Sequence, residues 1–285
     1  MARRPDVEAQ ATLPPIAAGK VRALEALLRT QLLPARINRC INKEPGDTLL
    51  TWAARHGNAE AIRLLTKTGA SLDSETTVGG TALFVACQQG HHGCVQDLIT
   101  AGARVNQADS HGSTPLYIAC QQGHSSCVQK LLAAGAAAGL ADNDGYTPLF
   151  IACQERQCAC VKQLLAAGAS ANVARNDGWT PLYIACHQGF IDCVQLLLGA
   201  GASVNLSTTE GRTPLYIACY QGRSDCVQQL LSVGASANRA SNDCRTPLYI
   251  ACHRGHQDCV GLLLSAGAAT VAVAHMIHDR PSCHE

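Results

Sequence analysis

The sequence is poor in charged residues. Only 15% of its 285 residues are charged, and the formal net charge is +1, whereas about a quarter of the residues of an average soluble protein are charged. Nucleic-acid binding needs Lys and Arg clustered on one face. The sequence has no such basic stripe and no acidic tail for a basic partner. We therefore predict no nucleic-acid partner.

Long apolar runs are missing as well. A helix needs roughly 20 apolar residues to cross a bilayer, and the longest apolar stretches, such as residues 131–141, are shorter and contain glycine. Near the N-terminus, Arg3 and Arg4 are followed by Asp6 and Glu8 without the apolar core of a signal peptide. We predict no membrane partner and expect a cytoplasmic or nuclear protein.

Catalytic motifs are absent too. The sequence contains no Gly-x4-Gly-Lys-Ser/Thr, no Gly-x-Ser-x-Gly and no His-Glu-x-x-His, so we predict no enzyme and no cofactor. The tail gathers metal-type ligands, His275, His278, Cys283 and His284, but their spacing matches no closed zinc site. We expect a disordered end there and no metal site.

What the sequence does contain is a period of 33 residues. Thr-Pro-Leu-Tyr or Thr-Pro-Leu-Phe begins at five positions, and two further threonines continue the series backwards. The seven starts are Thr48, Thr81, Thr114, Thr147, Thr180, Thr213 and Thr246. Seven copies of one unit over residues 48–267 predict a single elongated domain whose function lies on its surface.

Each unit reads as two short antiparallel helices and a turn. Thr114 before Pro suits an N-cap followed by the first helical position, and Gly123 suits the end of that helix. Val128 and Leu131 lie on the apolar stripe of a second helix. The turn sequence 143–145, Asn-Asp-Gly, then predicts a projecting hairpin, or finger.

No such unit can bury its apolar face alone, so the copies must stack. With helix axes roughly 8 to 10 Å apart, seven units would form a rod roughly 60 to 70 Å long. The pattern Thr-Pro-Leu-Tyr-Ile-Ala-Cys, Gly-His, Leu-Leu, Gly-Ala and Asn-Asp-Gly resembles the ankyrin repeat. The resemblance implies an all-α solenoid of stacked helix-turn-helix units with short β-hairpin fingers. We assign residues 1–12 to a disordered N-terminus, 13–47 to a degenerate capping repeat and its connection, and 268–285 to a tail.

Cysteine and aromatic side chains depart from the family pattern. The fourth position, usually His, is Phe or Tyr in six units, and we expect these rings to pack. Two cysteine columns recur, one in each helix. They comprise Cys87, Cys120, Cys153, Cys186, Cys219 and Cys252, then Cys94, Cys127, Cys160, Cys193, Cys226 and Cys259. We interpret them as small buried hydrophobes, because equivalent residues of adjacent units lie beyond the roughly 7 Å disulfide limit. Zinc binding and redox catalysis are the weaker alternatives.

Some residues break the period. Arg156 stands where other units have Gly, and we expect a strained turn there. Four cysteines lie outside the columns and are predicted to be the exposed thiols. They are Cys40, Cys158, Cys244 and Cys283.

The resemblance also implies a protein partner bound on the finger tips and the exposed side of the first helix. The residues before Thr-Pro are Ser113, Tyr146, Trp179, Arg212 and Arg245. The pairs on the first helix are Gln121 and Gln122, Gln154 and Glu155, His187 and Gln188, Tyr220 and Gln221, and His253 and Arg254. Trp, Tyr and Arg often dominate interface energies, and we expect Tyr146 and Trp179 to have no place in the core. The prediction is a non-catalytic, monomeric interaction scaffold. A ubiquitin-ligase substrate adaptor and a fragment of a larger ankyrin protein are the alternatives.

The last unit keeps an apolar pattern where a terminal unit would normally be polar. Val260, Leu262, Leu263 and Leu264 repeat the interior spacing. We expect residues 269–277 to cover this end, with another chain or a longer array as alternatives.

Overall fold

The computed structural model describes residues 48–270, which contain fourteen α-helices in seven pairs. We number the units 1 to 7 from Thr48, Thr81, Thr114, Thr147, Thr180, Thr213 and Thr246. The helices are α1 Leu49–Arg55, α2 Ala59–Lys67, α3 Ala82–Gln88, α4 His92–Thr100, α5 Pro115–Gln122, α6 Ser125–Ala133, α7 Pro148–Gln154, α8 Cys158–Ala166, α9 Pro181–Gln188, α10 Ile191–Gly199, α11 Pro214–Tyr220, α12 Ser224–Ser232, α13 Pro247–Arg254 and α14 Gln257–Ser265. The first helix of each unit packs against the first helices of its neighbours, and the second helices pack likewise. The predicted all-α repeat solenoid is confirmed.

Each first helix begins at its threonine, as the sequence predicts. In unit 5, the Thr180 hydroxyl accepts a hydrogen bond from the Tyr183 amide at 3.1 Å, and Pro181 occupies the first helical turn. In unit 3, the helix ends at Gly123, whose φ of 76° is the left-handed conformation that glycine tolerates. Caps of this kind satisfy helix-end groups locally. Each first helix therefore begins at a cap that its own unit supplies.

The core runs along the whole stack as one continuous cluster. Within unit 5, Leu182 and Ala185 from α9 and Val194 and Leu197 from α10 are all buried. Five of the six aromatic rings at the fourth position are buried, and Tyr249 is half-buried. All column cysteines except the half-buried Cys252 are buried, and all twelve carry free thiols. Rings and thiols therefore serve as packing groups, as expected.

The predicted fingers are present as turns without β-strands. Residues 142–146 form a turn closed by hydrogen bonds from the Asp142 amide to the Tyr146 carbonyl and from the Gly145 amide to the Asp142 carbonyl, both 3.0 Å. No residue between 48 and 270 lies in a β-strand. Neighbouring fingers instead share one backbone bond, such as the 2.9 Å bond from the Asn143 amide to the His111 carbonyl.

Three polar contacts recur between adjacent units. In the turn between the two helices, His124 Nε2 lies 3.2 Å from the Gln88 carbonyl of the unit before. After the second helix, Asn106 Oδ1 accepts a hydrogen bond from the Ala137 amide at 2.9 Å. The backbone bond between fingers is the third. Together they form three rows of hydrogen bonds along the stack.

The junction of units 3 and 4 interrupts all three rows. At the turn position, Gln157 makes no bond to unit 3, and Phe190 of unit 5 has no polar group to reach unit 4. Gly139 stands where other units carry the Asn or Asp acceptor. No backbone bond joins finger 142–146 to finger 175–179 within the described part of the chain. The middle of the stack therefore has the fewest polar contacts between units.

The residues that break the period adopt the backbone predicted for them. Arg156 and Cys244 have φ of 55° and 59°, and they are the non-glycine residues with positive φ between 48 and 270. Cys244 is disulfide-bonded and Cys158 is half-buried, so the prediction of two exposed free thiols here is wrong. Cys158 is half-buried because it packs against the next unit, where its sulfur atom lies 3.6 Å from that of Cys193. The other two, Cys40 and Cys283, lie outside the described residues.

Other predictions concern residues outside 48–270, namely the disordered start, the capping repeat, the metal-type tail and most of residues 269–277. At the C-terminal end of the described stack, Leu264 is 46% exposed and Leu263 is buried. None of the described helices is long and apolar enough to cross a membrane.

Candidate partner-binding face

A groove runs between the fingers and the first helices in the N-terminal half of the stack. Its volume is about 930 Å³. Asp109 and Asp142 line it from the fingers, and Gln88, Gln121 and Gln154 line it from the first helices. The walls therefore present amides and carboxylates, which suit hydrogen bonding to a polar segment.

Sequence reasoning found only part of this groove. Ser113, Tyr146, Gln121 and Gln154 line it as predicted positions. Gln88 and Gln89 were missed, although they occupy in unit 2 the positions that Gln121 and Gln122 occupy in unit 3. The repeat register would have identified them. The groove carboxylates were also missed, because they precede the Thr-Pro boundary by several residues.

The predicted face residues differ in exposure. Ser113 is only 8% exposed, so it offers little surface to a partner. The exposed members are Gln122, Glu155, Arg245, His253 and Arg254. The half-buried members are Tyr146, Trp179, Arg212, Gln121, Gln154, His187, Gln188, Tyr220 and Gln221.

Tyr146 and Trp179 are joined by an arginine that the sequence did not single out. The Arg175 guanidinium carbon lies 4.7 Å from the Tyr146 ring centroid and 5.3 Å from the Trp179 ring centroid. Arg175 also donates hydrogen bonds to the Tyr146 hydroxyl and to the Asp177 carboxylate. Stacking of a guanidinium on aromatic rings is favourable. The three side chains form a cluster that joins two fingers without a shared backbone bond.

The same two rings also pack on the core. The Trp179 ring lies 4.8 Å from that of Tyr183, and the Tyr146 ring lies 5.2 Å from that of Phe150. The expectation that Tyr146 and Trp179 have no place in the core is therefore wrong. The reason is geometric, because each ring covers the outer edge of the buried aromatic residue four positions later.

Asp177 is held in its charged form by this cluster. Burial acts to raise its pKa, but the hydrogen bonds from Arg175 and from the Trp179 amide favour the carboxylate and leave the pKa below its usual value. The pKa of the Arg175 guanidinium is raised, mainly because of its hydrogen bond to Asp177. The pair therefore stays ionised at neutral pH.

Two buried nitrogens on the face make no hydrogen bond within the described residues. They are Nδ1 of His187 and Nε of Arg212. Burial, with a smaller effect of Arg223, lowers the pKa of His187, so its ring is neutral at neutral pH. A buried polar group without a partner costs about 1 to 3 kcal/mol. Unit 5 therefore contains two unsatisfied polar groups, and the ring of one, His187, lies 5.7 Å from that of Trp179.

Further along the stack, guanidinium groups are paired and stacked. Arg212 Nη1 lies 2.7 Å from Glu210 Oε2, and Arg245 Nε lies 3.2 Å from Asp243 Oδ2. The Arg254 guanidinium carbon lies 4.1 Å from the centroid of the Tyr220 ring. The face therefore changes from amides and carboxylates in units 2 to 4 to aromatic rings and paired arginines in units 5 to 7.

The described residues include no group of three His, Cys, Asp or Glu side chains placed to hold a metal ion. The stacked helix pairs, the groove along the N-terminal half and the face that varies between units define a helical repeat domain, a class that binds through an extended surface. The family of ankyrin repeats (3 copies) matches residues 16–109, 90–175, 116–208, 151–241 and 200–274. The chain belongs to the ankyrin repeat family.

Solved structures agree with this assignment. The ankyrin repeat domain of Bcl-3, described as a unique member of the IkappaB protein family, is 30% identical with a TM-score of 0.71. The match covers 78% of this chain and 100% of that domain. The human ASB11 ankyrin repeat domain is 31% identical with a TM-score of 0.68, and the match covers 77% of this chain and 98% of that domain. A comparison with curated proteins gave no match.

Proposed function

We propose that this chain is a non-catalytic scaffold that binds a partner protein across its fingers and first helices. Ankyrin repeat domains are typical protein–protein interaction modules. The observation that carries the placement is the half-buried Trp179, whose ring lies 5.7 Å from that of His187, together with the unsatisfied nitrogens of His187 and Arg212. A partner that brings hydrogen-bond acceptors to this point removes a cost that the free domain bears.

The proposed contact is centred on Tyr146, Trp179, Arg212 and Tyr220. These residue types dominate binding energies when a partner excludes water from them. The flanking contacts are the exposed Gln122, Glu155, Arg245, His253 and Arg254, and the half-buried Gln121, Gln154, His187, Gln188 and Gln221. Ser113 is excluded because it is buried.

Affinity purification of the full chain followed by mass spectrometry identifies partners for the test. A matched pair of variants then places the contact. Gln122 ends α5 and Gln129 lies on α6 of the same unit, and both are exposed. Gln122→Arg is expected to weaken binding, whereas Gln129→Arg is expected to leave the affinity unchanged. Equal effects of the two variants would contradict the placement.

The centre of the face is tested with Trp179→Ala and Arg212→Ala. Each is expected to weaken binding by about tenfold or more, corresponding to about 1.4 kcal/mol or more. Because Trp179 packs on Tyr183, circular dichroism and thermal unfolding must show that each variant is folded at the assay temperature. Unchanged affinity for both folded variants would refute this centre.

We also propose a monomer that works in the cytoplasm or nucleus. Light scattering of the purified chain and fluorescence microscopy of the tagged full-length protein test these two points. A concentration-dependent dimer or a secreted protein would refute them.

A further inference from the structure

Two cysteines of adjacent units meet at the junction of units 4 and 5. Cys158 is the first residue of α8, and Cys193 is the third residue of α10. Their sulfur atoms lie 3.6 Å apart. A disulfide needs a sulfur separation of about 2.05 Å, so the two atoms must approach by roughly 1.5 Å. Side-chain rotation at the start of two helices can supply that.

This pair depends on one residue that breaks the period. The position of Cys158 is Ser125 in unit 3 and Ser224 in unit 6. Column cysteines of neighbouring units also interact, as Cys186 does with Cys226, but both of those are buried. Cys158 is half-buried, so the pair at this junction has one sulfur within reach of solvent.

The surroundings favour reaction at this pair. Hydrogen bonds from Cys153 and Cys158 lower the pKa of Cys193 to about 7, although burial opposes this. The guanidinium of Arg156 also favours the thiolate, and it pairs with Asp192 at 3.2 Å. Asp192 acts in the opposite direction. Burial and the hydrogen bond to Cys193 raise the pKa of the Cys158 thiol to about 11. The thiolate of the pair therefore forms at Cys193, and Cys158 contributes the accessible thiol.

We propose that Cys158 and Cys193 form a reversible disulfide that locks units 4 and 5 together under oxidising conditions. A peroxide is the oxidant. Its oxygen inserts at the Cys158 thiol to give the sulfenic acid and one molecule of water. The Cys193 thiolate then attacks the Cys158 sulfur, the S–O bond breaks, and the hydroxide leaves as water with the proton that Cys193 had lost. Two thiols and one peroxide thus become one disulfide and two waters.

The lock would act next to the junction with the fewest polar contacts, that of units 3 and 4. Between units 4 and 5 the turn bond is absent, whereas the Thr209 amide donates to the Asp177 carbonyl at 3.1 Å and the Ser203 amide donates to Asn172 Oδ1 at 2.7 Å. The remaining links there include the Arg156–Asp192 ion pair and the guanidinium of Arg156 over the Phe190 ring at 5.4 Å. A covalent bond at this point ties the two halves of the array to each other. Formation of this disulfide does not require the proposed protein partner.

The test oxidises the folded full chain with hydrogen peroxide, blocks remaining thiols and maps disulfides by mass spectrometry. Digestion with trypsin and Asp-N separates Cys193 from Cys186, because Asp192 lies between them. The expected product links the peptide that contains Cys158 to the peptide that contains Cys193, and dithiothreitol reverses it. Cys158→Ser, which restores the residue of units 3 and 6, is expected to lower this product at least about tenfold.

Two further variants control the assignment. Cys160→Ala is expected to keep the link, because Cys160 shares the tryptic peptide with Cys158 but is buried. In the Cys158→Ser background, Ser224→Cys recreates the same register in unit 6 and is expected to link to Cys259. Absence of the link between residues 224 and 259 would contradict the proposal that these equivalent positions are close enough to form a disulfide. The proposal is overturned if the folded wild type oxidises at Cys158 only to sulfinic or sulfonic acid, or if the tryptic peptide 157–162 is still linked to the Cys193 peptide in Cys158→Ser.

Discussion

Two side chains occupy the left-handed backbone region that other units reserve for glycine. Arg156 and Cys244 have φ near 55° and 59°, and a side chain costs about 1 to 2 kcal/mol in this region. Arg156 compensates through an ion pair with Asp192 and a stacking contact with Phe190. The ion pair is largely exposed, and such pairs contribute little. The backbone at Arg156 therefore stores a small strain.

We predict that Arg156→Gly is more stable than Arg156→Ala by about 1 kcal/mol. Both variants lose the contacts with Asp192 and Phe190, so the difference isolates the backbone term. Urea denaturation followed by circular dichroism measures it. At Gly123, where φ is 76°, Gly123→Ala should lower the stability. Equal stability of the two Arg156 variants would show that the turn carries no strain.

A second residue-scale prediction concerns pH. The folded-state pKa of Asp177 lies below its usual value, so its stabilising effect is complete above the unfolded-state pKa and is lost as pH falls through the folded-state pKa. The stability difference between wild type and Asp177→Asn should therefore be largest at pH 7 and shrink below about pH 4. Urea denaturation at pH 7, 5, 4 and 3 measures it. Asp144→Asn, at the equivalent position of the preceding finger, is the matched control.

At the scale of elements, the units differ mainly in how they are joined. The Asn or Asp acceptor after the second helix recurs in five units, for example as Asn172, which accepts from the Ser203 amide at 2.7 Å. Unit 3 has Gly139 at this position, and the Ser170 amide of unit 4 makes no hydrogen bond with any described residue. A Cβ at Gly139 would meet nothing within 4 Å. A side chain with an acceptor oxygen would therefore fit at position 139.

We predict that Gly139→Asn stabilises the protein by about 1 kcal/mol, the typical contribution of one hydrogen bond. Gly139→Ala is the matched control, because it removes the glycine without adding an acceptor. The reverse change, Asn106→Ala, should destabilise by a similar amount, since it deprives the Ala137 amide of its partner. Chemical denaturation measures all three. If Gly139→Asn and Gly139→Ala are equally stable, the bond has not formed.

The elements were predictable because their signals are local. Thr180 caps its own helix and Gly123 ends its own, so the sequence of one unit was sufficient to place both ends. Contacts between units were harder to predict. Arg175 reaches Tyr146 across 29 residues, and Cys158 reaches Cys193 across 35. Neither separation equals the 33-residue period, so comparison of equivalent positions could not reveal these pairs.

The sequence predicted where the residues of this face lie, but it did not predict how deeply their side chains are buried. The register placed Trp179 and Tyr146 between fingers and first helices, where the structure also has them. Their packing on Tyr183 and Phe150 depends on side-chain directions that a sequence pattern does not contain. Sequence can therefore locate such a surface, but the share of each ring left for a partner needs coordinates.

At the scale of the whole molecule, the stack behaves as a one-dimensional array. In such an array each unit contacts only its neighbours, and stability is approximately a sum of unit and interface terms. Unit 4 is the middle of the seven described units, so fraying from the ends should reach it last. Its interface with unit 3, however, carries fewer polar bonds than the other interfaces between described units. Fraying from the ends predicts that unit 4 opens last, whereas the scarcity of polar bonds predicts that it opens early.

We predict that the interfaces dominate. Amide hydrogens of α7 and α8 should exchange about tenfold faster than those of α11 and α12, which corresponds to about 1.4 kcal/mol less opening free energy. Hydrogen–deuterium exchange with mass spectrometry under reducing conditions measures this. Gly139→Asn should slow exchange in α8 and leave α12 unchanged, because only the interface of units 3 and 4 is altered. A disulfide between Cys158 and Cys193 should also slow exchange in α8, because it ties unit 4 to unit 5. Exchange slowest in unit 4 and increasing evenly toward both ends would instead show that the absent bonds do not weaken the array.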